Sequence, residues 1–93
     1  NGGQSQKIAE AYCAESGICM AAYTDCCAVQ LYVGNAINEQ TGKNGVTYRK
    51  RQGFCLESQY CPNAINDPAF TSPLLKAGEK YDTQTSYRFS VKD

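Results

Sequence analysis

Apolar and polar positions alternate most cleanly near the end of the chain, where Thr83, Thr85, Tyr87, Phe89 and Val91 interleave with Gln84, Ser86, Arg88 and Ser90. A period of two is the signature of a strand with one buried face. The same pattern recurs at 29–33, with Val29, Leu31 and Val33 on one face and Gln30 and Tyr32 on the other. A third run begins at Gly53 and sets Phe54, Leu56, Ser58 and Tyr60 against Cys55, Glu57 and Gln59. Near the start, Lys7 to Cys13 and Ile18 to Thr24 flank the turn-prone Ala14-Glu15-Ser16-Gly17, which predicts a hairpin. The alanines would also allow a helix from Ile8 to Ala14, but Gly17 and the Val, Tyr and Ile residues further on favour sheet.

Turn signals separate these runs. Residues 1–6 are polar and Gly-rich and are read as a flexible start, 38–45 as a loop and Val46 to Arg49 as a short strand leading into the Gly53 run. From Cys61 to Gly78, three prolines (Pro62, Pro68, Pro73) among Asn, Asp and Ser residues preclude long regular structure. A loop of that length is expected to serve the site, because long irregular segments in small folds tend to line one. Short strands with no segment of convincing helical period predict an all-β, antiparallel β-sandwich.

The 93 residues allow one small domain. Nine basic residues balance nine acidic ones, so no global field attracts nucleic acid or an anionic membrane. The lone basic cluster, Arg49-Lys50-Arg51, is too short to track phosphates and reads as a solvated face. No apolar run is long enough to cross a membrane as a helix, and the polar start does not read as a signal peptide, which points to a cytoplasmic protein. Six cysteines raise the question of disulfides or metal. The adjacent Cys26-Cys27 lacks metal-ligand spacing and the chain has no histidine, so free, mainly structural thiols are expected and no metal or other cofactor is implied.

Glu57 sits mid-strand just before the Pro- and Asn-rich loop, a placement that suits either a solvated strand glutamate or an active-site carboxylate. The run Gly53-Phe54-Cys55-Leu56-Glu57-Ser58-Gln59, followed by Pro62-Asn63-Ala64-Ile65-Asn66-Asp67-Pro68-Ala69-Phe70, resembles the C-terminal signature of the aldose 1-epimerases, or galactose mutarotases. The likeness continues through 29–35 and 41–43 upstream and 72–79 and 87–89 downstream, and covers the chain from about Ile8 onward as the last third of such an enzyme.

The resemblance implies a β-sandwich belonging to a larger mutarotase-like supersandwich and an isomerase acting on a free hexose such as galactose or glucose. It implies Glu57 as the general base and Gln30 as a sugar-binding residue, with an N-terminal part of the same enzyme as partner. Mutarotation needs one group to take the anomeric proton and another to protonate the ring oxygen. The family's acid is a histidine from earlier in its chain, which this sequence does not contain. By itself the chain is therefore expected to be inactive. Departures from the family pattern occur at Cys13-Ala14, Cys27-Ala28, Ala36 and Cys61, none of which replaces the base. The alternatives are a non-catalytic carbohydrate-binding sandwich, which would keep Gln30 and dispense with Glu57, an epimerase of phosphorylated sugars held by Arg49 or Arg51, and a structural fragment that folds with the N-terminal part.

Overall fold

The computed structural model describes residues 4–92. It contains seven strands: β1 (Gln6–Tyr12), β2 (Ile18–Thr24), β3 (Ala28–Tyr32), β4 (Gln40–Thr41), β5 (Thr47–Tyr48), β6 (Cys55–Gln59) and β7 (Thr85–Val91). They form a three-stranded sheet in the order β1-β2-β7 and two-stranded sheets β3-β6 and β4-β5, with every pairing antiparallel. The fold is all-β, and the helical content is limited to single turns at Lys43–Gly45 and Ala64–Asn66. Of the polar start at 1–6, residues 1–3 lie outside the described residues, and Gln6 already opens β1.

The expected hairpin forms β1 and β2. Its turn is closed by Cys13 N donating to Ile18 O (3.0 Å) and Gly17 N donating to Cys13 O (2.8 Å). Gly17 has φ +77°, a conformation that a side chain disfavours. It is also pressed against β7, because Lys92 N donates to its carbonyl at 2.8 Å. The Ser16 hydroxyl, followed by the Ser16 and Glu15 amides, lowers the pKa of the exposed Cys13 thiol by bonding to its thiolate form. Further along β1, the register passes from Lys7↔Tyr23 to Ala9↔Ala22, so Ile8 is the extra residue of a bulge. The bulge turns Lys7 and Glu10 to one face, where they pair at 2.5 Å.

β7 joins β2 along its whole length, from Ile18↔Val91 to Thr24↔Thr85. Its start is anchored by Asp25, whose carboxylate accepts from the Thr83 hydroxyl (2.6 Å) and Gln84 N (3.0 Å), while Asp25 N donates to Gln84 O (3.2 Å). With Thr83 donating to Asp25, Cys26 Sγ, 3.1 Å away, donates to the Thr83 oxygen.

The short strand expected within 46–49 forms as β5, but its partner is β4, inside the segment read as a loop. The Tyr48 hydroxyl accepts from Lys43 N at 3.2 Å, and its ring lies over Gly42, where a methyl group would collide with it. The run at Gly53 enters its ladder two residues later than expected, at Cys55.

Buried side chains are few. Among the described residues only Cys19, Ala22, Ala64 and Thr24 are shielded from solvent, glycines aside. The apolar face of β2 and β7 leaves Tyr87, Phe89 and Val91 at 50%, 67% and 71% exposure. At that exposure each such side chain forgoes about 1–2 kcal/mol that full burial would supply. The radius of gyration is 16.8 Å, against about 12 Å for a compact domain of this length. Where the sheets do approach, the β6 face carrying Phe54 and Leu56 stands over Met20 and Tyr87 around a hollow of about 300 Å³.

Candidate functional site

The site is built on the β3-β6 ladder. Its rungs are Ala28↔Gln59, Val29↔Ser58, Gln30↔Glu57, Leu31↔Leu56 and Tyr32↔Cys55. Strand alternation then sends Ala28, Gln30, Tyr32, Cys55, Glu57 and Gln59 to one face and Val29, Leu31, Leu56 and Ser58 to the other. Gln30 and Glu57, singled out separately from sequence, are direct cross-strand partners and both are exposed. Residues so opposed have β-carbons about 4.5–5.5 Å apart, close enough for an amide and a carboxylate to reach one small polyol together. An amide both donates and accepts, and an ionised carboxylate accepts only, so the pair offers the complementary bonding that sugar hydroxyls require.

Both ends of the ladder are tied off by local bonds. At the β3 exit, Gly34 (φ +77°) makes a tight turn in which its carbonyl accepts from Ile37 N (3.2 Å) and Arg51 N (3.4 Å). Tyr32, on the Gln30 face, turns its hydroxyl to accept from Ala36 N at 3.2 Å. Tyr32 also helps line a hollow of about 230 Å³ with Gly34, Ile37, Gly53, Phe54 and Cys55, two rungs along from Glu57.

At the other end, the loop after β6 is a series of self-bonded turns. Asn63 adopts a left-handed conformation (φ 60°), which asparagine tolerates better than most residues. Ala64 N donates to Cys61 O (3.0 Å), Asn66 Nδ2 to Asn63 Oδ1 (2.6 Å) and Ala69 N to Asp67 Oδ1 (3.0 Å). The Pro and Asn residues that break regular structure here thus impose a defined path, with Ala64 buried beneath it.

The basic triplet lies in the turn before β6 and is exposed. Arg49 pairs with Glu39 at 3.6 Å and Arg51 donates to Asn35 Oδ1 at 3.3 Å, so both arginines already have partners in the chain. Sequence reasoning did not single out Ser58, Thr85 and Thr24, whose hydroxyls connect β6 to the three-stranded sheet. Ser58 and Thr24 were discernible as hydroxyl residues on strand faces that also carry Leu56 and Ala22, whereas Thr85, next to Thr83 on its face, carried no such signal.

A family model described as aldose 1-epimerase matches residues 1–88. The galactose mutarotase of Homo sapiens is 47% identical over 79 residues, which is 84% of this chain and 23% of the relative. That of Sus scrofa is 43% identical over 89 residues, or 95% and 26%. The aldose 1-epimerase of Escherichia coli (strain K12) is 31% identical over 90 residues, or 94% and 26%. The chain thus spans 23–26% of the length of these relatives. A motif read from residues, an all-β antiparallel fold and a match across nearly the whole chain agree, and the chain belongs to the aldose 1-epimerase family.

Proposed function

We propose that this chain carries the base-bearing strand of a mutarotase that interconverts the α and β anomers of free hexoses such as galactose and glucose. The observation that carries the reading is the Gln30↔Glu57 rung, which brings the two expected sugar-contacting residues to adjacent positions on one exposed face. In this reading Glu57 accepts the proton of the anomeric hydroxyl as the bond from the anomeric carbon to the ring oxygen breaks. An acid then protonates the ring oxygen. Rotation about the bond between the first and second carbons presents the other face of the aldehyde, and the reverse proton transfers close the ring. Gln30 orients the sugar by bonding to its hydroxyls. Holding the carboxylate against the hydroxyl in one encounter supplies much of the acceleration.

The acid is assigned to an N-terminal portion of the enzyme that packs with these residues as one sandwich, because no histidine is present here. Tyr32 is a poor substitute, since its hydroxyl is engaged with the Ala36 amide and a phenol is ordinarily mismatched to proton donation at neutral pH. A chain bearing six thiols fits a reducing, cytoplasmic setting.

The test is polarimetry of α-glucose and α-galactose on a complete mutarotase in which these 93 residues replace the matching stretch. Glu57→Gln should lower turnover by about 10²- to 10⁴-fold with sugar binding retained. The 93-residue chain alone should accelerate mutarotation little or not at all. Unchanged turnover in Glu57→Gln would leave at most a sugar-binding role and remove the base assignment. Full activity in the isolated chain would place the acid within it.

A further inference from the structure

Three hydroxyls run in line from the strand of Glu57 into the three-stranded sheet. Ser58 Oγ lies 3.0 Å from Thr85 Oγ1, which lies 3.0 Å from Thr24 Oγ1. Thr24 in turn donates to Gln84 O at 3.4 Å and accepts from Cys26 N at 3.1 Å. A hydroxyl has one proton to give. With that of Thr24 directed to Gln84, Thr85 donates to Thr24 and Ser58 donates to Thr85. The series therefore has one direction and ends on a backbone carbonyl. Thr24, at its inner end, is 2% exposed, so that end is sheltered from competing water.

Ser58 adjoins Glu57 in sequence and points to the opposite face of β6, so its hydroxyl acts on the back of the strand that presents the carboxylate. Apolar packing between the two sheets does not fix their offset tightly, because Phe54 and Leu56 meet Met20 and Tyr87 around an open hollow. The Ser58–Thr85 bond, at the exposed end of the series, supplies a directional contact between β6 and that sheet.

We infer that Thr85 is a positioning residue for the mutarotase site, its hydroxyl setting where β6, and with it Glu57, stands relative to the β1-β2-β7 sheet. The inference deepens the proposed function and rests on Glu57 being the base. Thr85 touches no substrate in this scheme. It acts through Ser58 on the carboxylate's place in the enzyme, so its loss affects the reaction step more than sugar binding.

The experiment uses the same complete mutarotase and compares Thr85→Val, which keeps the shape without the hydroxyl, with Thr85→Ser, which restores it. Amide hydrogen exchange reads the strand directly. In Thr85→Val, amides of 55–59 should exchange about 2- to 10-fold faster, as the loss of one hydrogen bond allows, with those of 6–12 unchanged. Turnover should fall about 10-fold, and by no more than about 10²-fold, with KM within about twofold. Thr85→Ser should recover most of both effects. Ser58→Ala removes the outer end of the series without altering the β2-β7 ladder, and should repeat the loss if Thr85→Val destabilises the sheet as a whole.

Unchanged exchange at 55–59 in both Thr85→Val and Ser58→Ala overturns the inference, as does a loss that serine does not rescue. If Glu57→Gln retains turnover while Thr85→Val loosens β6, the base assignment fails and the hydroxyl link stands as a structural one. If Glu57→Gln abolishes turnover and Thr85→Val changes neither exchange nor kcat, the base stands and the positioning role fails.

Discussion

Gly17 and Gly45 both have positive φ, +77° and +73°, but their surroundings differ. A β-carbon at Gly17 would lie 2.6 Å from the carbonyl oxygen of Lys92, whereas one at Gly45 would have nothing within 4 Å. The left-handed conformation costs an L-residue about 1–2 kcal/mol, and reduced freedom of the unfolded chain returns about 0.4–1 kcal/mol. Gly45→Ala should therefore cost between about 0 and 1.5 kcal/mol. Gly17→Ala carries the same sum and must also push back the Lys92 backbone, which sacrifices the Lys92 N to Gly17 O bond of 2.8 Å. Losing that bond and shifting the backbone adds roughly 1–3 kcal/mol, a large share of the stability of a small domain. Urea unfolding of the two variants, followed by circular dichroism, gives the difference between them. Equal costs would mean that the hairpin turn does not bear on the end of β7 as described.

Two further outcomes follow from the chemistry of particular groups. Under native conditions without reductant, a thiol reagent should modify the exposed, thiolate-stabilised Cys13 first and the buried Cys19 last, with six thiols titrating after unfolding; equal rates at Cys13 and Cys19, or fewer than six thiols, would overturn this. Asp25 has its pKa lowered below the ordinary 3.8 by the Thr83 hydroxyl and then the Gln84 amide. The folded state thus binds fewer protons there than the unfolded state, so its contribution is complete above the unfolded value and is lost as pH falls through the folded one. Thr83→Val should flatten that acid limb of the urea midpoint plotted against pH, and an unaltered limb would show that the hydroxyl is not the cause.

Alternation made β3, β6 and β7 legible because each has enough residues for a period of two to repeat, whereas β1 and β2 were legible from the turn between them. It also placed Gln30 and Glu57 each on a polar face. It did not show that they are opposite one another, since register is a relation between strands 27 residues apart, set by pairing that no single strand records. β5 was expected within 46–49, but its partner β4 was missed for another reason. Two residues amid loop signals make no period, and the pair is held by the Tyr48 hydroxyl and the glycine under its ring, which are tertiary facts. Asp25 bonding to Thr83 and the series from Ser58 to Thr24 likewise depend on chain segments brought together only by folding.

The bulge at Ile8 gives the three-stranded sheet an unequal pair of margins. On β1 the backbone is kinked and carries the Lys7–Glu10 ion pair, both of which discourage another strand from docking. On β7 the outer margin is a regular seven-residue strand with no bulge in its register to β2. In the larger sandwich proposed above, a further strand of the enzyme therefore finds its regular hydrogen-bonding edge at β7 and not at the kinked β1.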